Sequence, residues 1–524
     1  MKKILVILLL FTTFIFTAQE INIKKSEIIK ESKKKTYLAF SESDGKGGLI
    51  TIKSVRTGFG GMKLKGYKID HFDSDLKLIK SSFLENEKKA YINSVFIKDD
   101  VLHLIQFKTE NKNKDIIVNV LSSSLNDLNF TSKKLYTFNR EQFKKYFAVS
   151  LGPLFFDNGL SQQDKDSFGM ITFSKNKNYF VLSFDIKNKK QEVHLFLVYD
   201  KKLNQIYQTT FKSDIKDKYF DFEDVDINDD DGTIYLLGKV FENKSKKTKK
   251  KGKTNYHYEL YKLTKDNKEK LHIKEEDKFI GSLYLLHSNS KLTLVGFYSE
   301  KNDYRYKGVC RFNLSDNLKI NNKLFQPFSN QFFEDKYRKG AKVKKGKKEL
   351  KNLTYRGVFI DSNDNIIINA EEFYITSHYH TTSTGGYWRT VYHFNDIISI
   401  KLDAEGKLLW ARNINKAQTI PSNASFSSLV VNDKNYIFIN TSDKIKEMSN
   451  NRMRFKQTSP KKSNLYVLIL DEKGDFTYKK LIDRRESKVF YNVKDGIINK
   501  EDNSIIFQGT KKKHQRILKL QVNN

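Results

Sequence analysis

A unit of short apolar strands separated by turns rich in Asp, Asn and Gly returns about every 45 to 60 residues along this chain, and that period leaves few folds open. The clearest copy runs through 228–273. There Thr233 to Val240 reads as a second strand, Tyr258 to Leu263 as a third and Lys270 to Ile273 as the start of a fourth. Asp, Asn and Gly break the runs because they tolerate turn geometry, whereas Ile, Tyr, Phe and Val favour a pleated surface. The same order recurs at 355–414 and 428–482, and more loosely at 91–137, 168–211 and 281–328. The stretches 36–84 and 491–519 read as unequal partial units.

Four antiparallel strands per unit, repeated six or more times, predict an all-β fold, a β-propeller. Each small sheet has two apolar faces, and radial stacking buries both. Seven blades is the preferred count, with six and eight open because the N-terminal third diverges. The C-terminal fragment supplies three strands, so a strand from near Tyr37 is expected to close the ring by pairing with the C-terminal end. The division that follows is a leader at 1–18, a lead-in at 19–35 and the propeller at 36–524, with 138–167 as an insertion or a divergent connection. Only four prolines and no Gly/Ser linker interrupt the chain, so one disc-like domain is more economical than several.

The first residues carry Lys2 and Lys3, an apolar run from Ile4 to Phe16, and small residues at Thr17 and Ala18. This is the pattern of a secretory signal peptide; the run is shorter than the roughly 20 residues a bilayer span needs. An exported and most simply periplasmic protein is expected, with an extracellular or cell-surface location as the alternative. Cys310 is the single cysteine, which excludes an internal disulfide, and its alternating surroundings predict a buried small hydrophobe.

With 95 Lys and Arg against 62 Asp and Glu, the net charge is +33, and loss of the leader lysines leaves about +31. Such a field attracts anionic surfaces such as protein, glycan or lipid headgroups. Its lysines concentrate at 244–253, with Lys246, Lys247, Lys249 and Lys250, and at 339–351, with Lys344, Lys345, Lys347 and Lys348. Both fall in long connections, where they read either as solvated loops or as contacts for an acidic partner. Arginines and aromatics are not interleaved with them, which argues against nucleic acid.

No nucleophile elbow, P-loop or zinc-protease motif occurs, and no cofactor or metal is expected. The acidic run at 221–232 has Ile227 where a calcium loop needs its first ligand, so it reads as a polar turn. The richest segment is 371–394, an inter-strand connection with His378, Tyr379, His380, Tyr387, Trp388, Arg389 and His393. In an extended segment His378 and His380 share a side. Aromatics and arginine are common interface anchors, so this segment reads as a binding loop or as a hairpin packed over a neighbouring blade.

DSNDN at 361–365 followed by DIISIKLDAEGKLLWARN at 396–413 resembles the blades of exported β-propellers of Bacteroidota, and the leader ending FTAQE is similar to those of secreted flavobacterial proteins. The resemblance covers about 150 residues well. The resemblance is not specific for a function; fold, compartment and phylum together lead to the expectation of a non-catalytic binding or assembly module, in its concrete form a periplasmic subunit of an outer-membrane complex such as the secretion translocon of that phylum. The competing expectation is an enzyme acting on glycan or another anionic polymer at the propeller channel, which would need carboxylates from several blades to converge there.

Overall fold

Alternation of apolar and polar positions, punctuated by tight turns, folds in the computed structural model into eight sheets, each with a core of four antiparallel strands. The structure describes residues 20–523 apart from 31–34, 59–62, 111–114, 143–168, 187, 189, 248, 251–252, 289–290, 301–304, 338–349, 351, 383–384 and 449–451. Sheets 1 to 7 take residues 35–85, 90–139, 170–212, 220–273, 278–327, 353–417 and 426–482 in chain order, except that Lys446–Met448 and Arg452–Lys456, within the last range, extend sheet 6 beyond its fourth strand. Sheet 8 takes 490–522 together with Ile21–Lys25.

An apolar cluster fills every junction between consecutive sheets, and one of them joins sheet 8 to sheet 1 through Leu49, Phe72, Ile506 and Ile517. First strands lie in contact between sheets 1 and 2, 3 and 4, 4 and 5, 6 and 7, 7 and 8, and 8 and 1. The sheets therefore form a closed, propeller-like ring with their first strands innermost. Among the described residues eight sheets have four or more strands, one more than the preferred seven, because 36–84 is a complete sheet and not a partial unit.

Closure does pair the two ends of the chain, but through a different strand from the one expected. Ile21–Lys25 runs antiparallel to His514–Val522, with Ile21 opposite Val522 and Lys25 opposite Leu518. Tyr37 instead lies in the first strand of sheet 1. The interval 138–167 falls mostly outside the described residues; before it, Thr131–Asn139 completes sheet 2. Cys310 is buried in the third strand of sheet 5, where burial pushes its thiol up. No helix among the described residues is long and apolar enough to cross a membrane.

The first strands of sheets 1, 2, 4, 5 and 6 each carry a one-residue irregularity at a matching place, for example between Phe222 and Asp224 and between Ile280 and Ser282. Such bulges sharpen twist where strands crowd an axis. They also demand close backbone approach from the second strand. A Cβ on Gly296 would stand 1.9 Å from the Ser282 carbonyl oxygen. Gly296→Ala is therefore expected to destabilise the protein by about 2 kcal/mol or more, as overpacking does; an unchanged urea midpoint would refute this account of the crowding.

The tight turns between first and second strands lie on one side of the ring and touch across sheets. Lys46 pairs with Asp100 at 2.7 Å, Asn176 N donates to Asp229 at 3.1 Å, and Asn363 donates to Asp433 at 3.1 Å. Connections between second and third strands leave from the opposite ends, so the long hairpins of sheets 4 and 6 project on the other side.

Candidate functional site

In sheet 6 the second and third strands, Ile366–Thr382 and Gly385–Leu402, run far past the rest of the sheet as one antiparallel hairpin. The segment 371–394 is thus two continuous strands rather than a loop. Thr, Tyr, Ile, Val and Trp dominate it, and such side chains support one another across a ladder. Its root is fixed: Phe373 and Phe394 pack with Ala424, and Phe394 and Gln418 exchange both backbone hydrogen bonds at 2.8 and 3.0 Å. Glu371, wholly enclosed just below, accepts from Arg356 at 2.8 Å and Ser425 at 2.8 Å and pairs with Lys416.

Pleating divides the projecting part into two faces. One holds Tyr379 opposite Trp388, their rings 5.4 Å apart, and Ile375 opposite Tyr392. Trp388 is 68% exposed and Tyr379 57%. The other face holds His378 opposite Arg389 and His380 stacked on Tyr387 at 5.5 Å. His378 and His380 do share a side, as alternation requires. Their face offers Arg389 and no carboxylate, which suits an anionic or aromatic contact. His393 stands apart from the tip, stacked on Tyr374 at 4.4 Å, with Nε2 3.0 Å from Thr376 Oγ1.

On the turn side of the ring, the first strands of sheets 3, 4 and 5 enclose a cavity of about 440 Å³. Asp224 and Asp226, two residues apart in Phe220–Ile227, line one wall, and Tyr284 and His287 of sheet 5 line the other. Asp226 Oδ2 lies 2.6 Å from His287 Nδ1, and Asp224 accepts from the Leu285 N–H at 3.2 Å. Burial pushes the Tyr284 hydroxyl up, aided by the charges of Asp224 and Asp226. Asn228 to Gly232 form the polar turn expected of the acidic run, with Asp230 N donating to Asn228 Oδ1 at 2.6 Å. The two carboxylates upstream belong to the cavity; their signal was an Asp-x-Asp alternation within a strand.

No family model matches this chain, and no curated protein matches it. Among solved structures it is similar to the β-propeller domain of the Trilobed protease from Pyrococcus furiosus, at 10% identity over 86% of this chain and 97% of that one, with a TM-score of 0.36. Prolyl oligopeptidase B from Galerina marginata matches at 9% identity over 91% of this chain, with a TM-score of 0.38. The chain spans 56% of that enzyme's length. Polysaccharide lyase Uly1 matches at 8% identity over 84% and 94% of the two chains, with a TM-score of 0.33. At such scores and identities, none of them bears on what the chain does.

The lysine segment of sheet 4 leaves the ring on the same side as the aromatic hairpin. Lys246 is half exposed and pairs with Asp221 at 2.8 Å, and Lys247 is exposed. Lys249–Lys250 pairs with Lys253–Thr254 in a short antiparallel ladder within this connection. Lys344, Lys345, Lys347 and Lys348 lie outside the described residues. The His378 and Lys246 groups belong to sheets 6 and 4, which are not neighbours. Sequence reasoning also passed over the one cluster among the described residues with the donor set for a metal ion, Asp185, Glu192 and His194 of sheet 3.

Proposed function

We propose that this chain is an exported binding module, an eight-bladed β-propeller that docks on a protein partner through the tip of the sheet 6 hairpin. The observation that carries the reading is Trp388, 68% exposed beside a half-exposed Tyr379 on a rooted two-stranded stalk. Large aromatics held outside the ring contribute nothing to its core, and such residues anchor interfaces when a partner desolvates them. The lysines at 244–247 add a basic field on the same side that would speed encounter with an acidic partner. The signal-peptide pattern and the resemblance to exported Bacteroidota propellers favour a periplasmic site of action, and a subunit of an outer-membrane complex is the concrete form of the partner.

Replacing Trp388 and Tyr379 together with Ser is expected to weaken co-purification with that complex at least about tenfold, the loss of a single hot spot. The thermal midpoint should stay put. Leu78→Ser, at an exposed apolar residue on the outermost strand of sheet 1, is the control and should leave association intact. Equal recovery of the double variant and the wild type would refute the hairpin as the contact.

The cavity between sheets 3, 4 and 5 favours a second reading, an enzyme with its site at the channel. Its acidic lining suits a cationic substrate better than an anionic polymer, and Asp226 with His287 is the pair that could move a proton there.

A further inference from the structure

Sheet 3 carries a cluster of ligand-bearing side chains remote from both the hairpin and the channel. Asp185 ends the second strand, Tyr179–Asp185, directly opposite His194 in the third, and Glu192 precedes His194 by two residues. Strand alternation therefore sets all three on one face. The surrounding backbone is held on both sides. Ile186 N donates to Val193 O at 2.9 Å, Glu192 N to Ile215 O at 3.3 Å, and Ser213 N to Glu192 O at 2.9 Å.

The three side chains are 4%, 3% and 2% exposed. One ligand atom from each lies within 4.8 Å of the others, and His194 Nε2 stands 2.7 Å from Glu192 Oε1. Aromatic rings wall the cluster: Phe222 of sheet 4 is 4.8 Å from the His194 ring, with Phe196 and Phe211 at 6.1 and 6.4 Å. A divalent cation is one means by which buried carboxylates are compensated. A mixed nitrogen and oxygen donor set suits zinc or manganese, whereas calcium takes six to eight oxygens.

We propose that Asp185, Glu192 and His194 bind one divalent transition-metal ion of the zinc kind, which cross-links the second and third strands of sheet 3 beside Phe222 of sheet 4. The ion binds the neutral imidazole at Nε2, and any proton that nitrogen carries leaves to solvent. Metal–ligand bonds of about 2.0–2.2 Å require the three groups to draw together, which their shared face allows. Enclosed on the aromatic side, the ion acts in stability and not in turnover.

The test uses the full-length protein stripped with a chelator and then given zinc alone. Expected are one zinc per chain after desalting, proton release on binding, and a thermal midpoint raised by several degrees, none of it reproduced by magnesium or calcium. Asp185→Asn and His194→Gln preserve shape, and each should weaken zinc binding at least about 100-fold, since even indirect partners of a metal site cost about 10–100-fold. Should the variants fail to fold, cobalt bound to the wild type decides: visible absorption bands of a nitrogen-containing four-coordinate site support the proposal, and an aqueous cobalt spectrum overturns it. Zinc at less than one per chain, the same retention by folded variants, or an equal shift with magnesium also overturns it.

Discussion

Removing the strand Ile21–Lys25 is expected to lower the stability of the protein by about 4 kcal/mol or more and to make it aggregate. Ile21 is buried among the apolar residues shared by sheets 7 and 8, and losing its burial alone is worth about 2–3 kcal/mol. The five-residue ladder with His514–Val522 goes with it, at about 0.5–1.5 kcal/mol for each hydrogen bond. Contacts beyond the sheet are lost as well. Glu20 accepts from the Tyr436 hydroxyl at 2.7 Å and pairs with Lys434 at 3.0 Å, and Lys24 pairs with Asp75 of sheet 1 at 2.6 Å. The exposed edge of His514–Val522 then becomes a template for other chains. Urea unfolding and light scattering of the shortened chain measure both effects. A synthetic peptide of residues 20–30 supplied in excess should restore much of the stability by strand addition. A shortened chain as stable and as monomeric as the parent would show that closure does not depend on this strand.

The strand that closes the ring was hard to read because only Ile21 of INIKK is fully buried and two of its five residues are lysines. Tyr37 offered a stronger β signal in a better-patterned run. The repeats at 228–273, 355–414 and 428–482 were legible because their second and third strands are buried on both faces and hence nearly continuous in apolar residues, as in Ile366 to Ile368 and Leu465 to Leu470. Sheet 1 was less legible for the opposite reason. Its third strand, Lys63–Phe72, begins with exposed lysine and its outer strand keeps Leu78 and Ile79 in solvent, so the unit looked partial and the count fell one short.

The site residues were legible by kind more than by geometry. Histidine, tyrosine, tryptophan and arginine at 378–393 marked a place of interaction, but Ser, Thr and Gly among them suggested a loop. Strands that bury nothing at their tip carry no hydrophobic period to announce them, and only the cross-strand ladder reveals them. Asp224 and Asp226 merged in the sequence with the turn residues Asp229 to Asp231, although pleating sends them into the cavity. Asp185 and Glu192 stand on two strands separated by a loop, and Glu-x-His, common in any strand, was the sole local trace of their convergence.

Glu371→Ala is expected to cost about 3–5 kcal/mol, because it leaves charge enclosed at the hairpin root without its partner. Arg356 lies in the first strand of sheet 6, Lys416 in the fourth and Ser425 at the start of sheet 7, so this carboxylate ties the root of the hairpin to its neighbours on three sides. Lys416 also donates to the Phe394 carbonyl at 3.1 Å and to Gln418 at 3.2 Å. Burial works to raise the Glu371 carboxyl, but the Lys416 and Arg356 charges overcome it and hold the group below its ordinary value of 4.5. Burial also holds the Lys416 ammonium below its own ordinary value, against the pull of Glu371. A group with a depressed folded-state value contributes stability in full above its unfolded value and loses it as pH falls through the folded one. The contribution of Glu371 is therefore complete above about pH 4.5 and declines below it, and Glu371→Gln should flatten the fall of stability in that acid range. Urea midpoints of wild type and Glu371→Gln from neutral pH into acid test this, and parallel curves would refute it. Replacing all three charged groups together, Arg356→Met, Glu371→Leu and Lys416→Met, should recover most of the loss at neutral pH, since apolar side chains of similar volume remove the need for compensation. If stability returns while binding through Trp388 does not, the ionic root serves mainly to aim the hairpin.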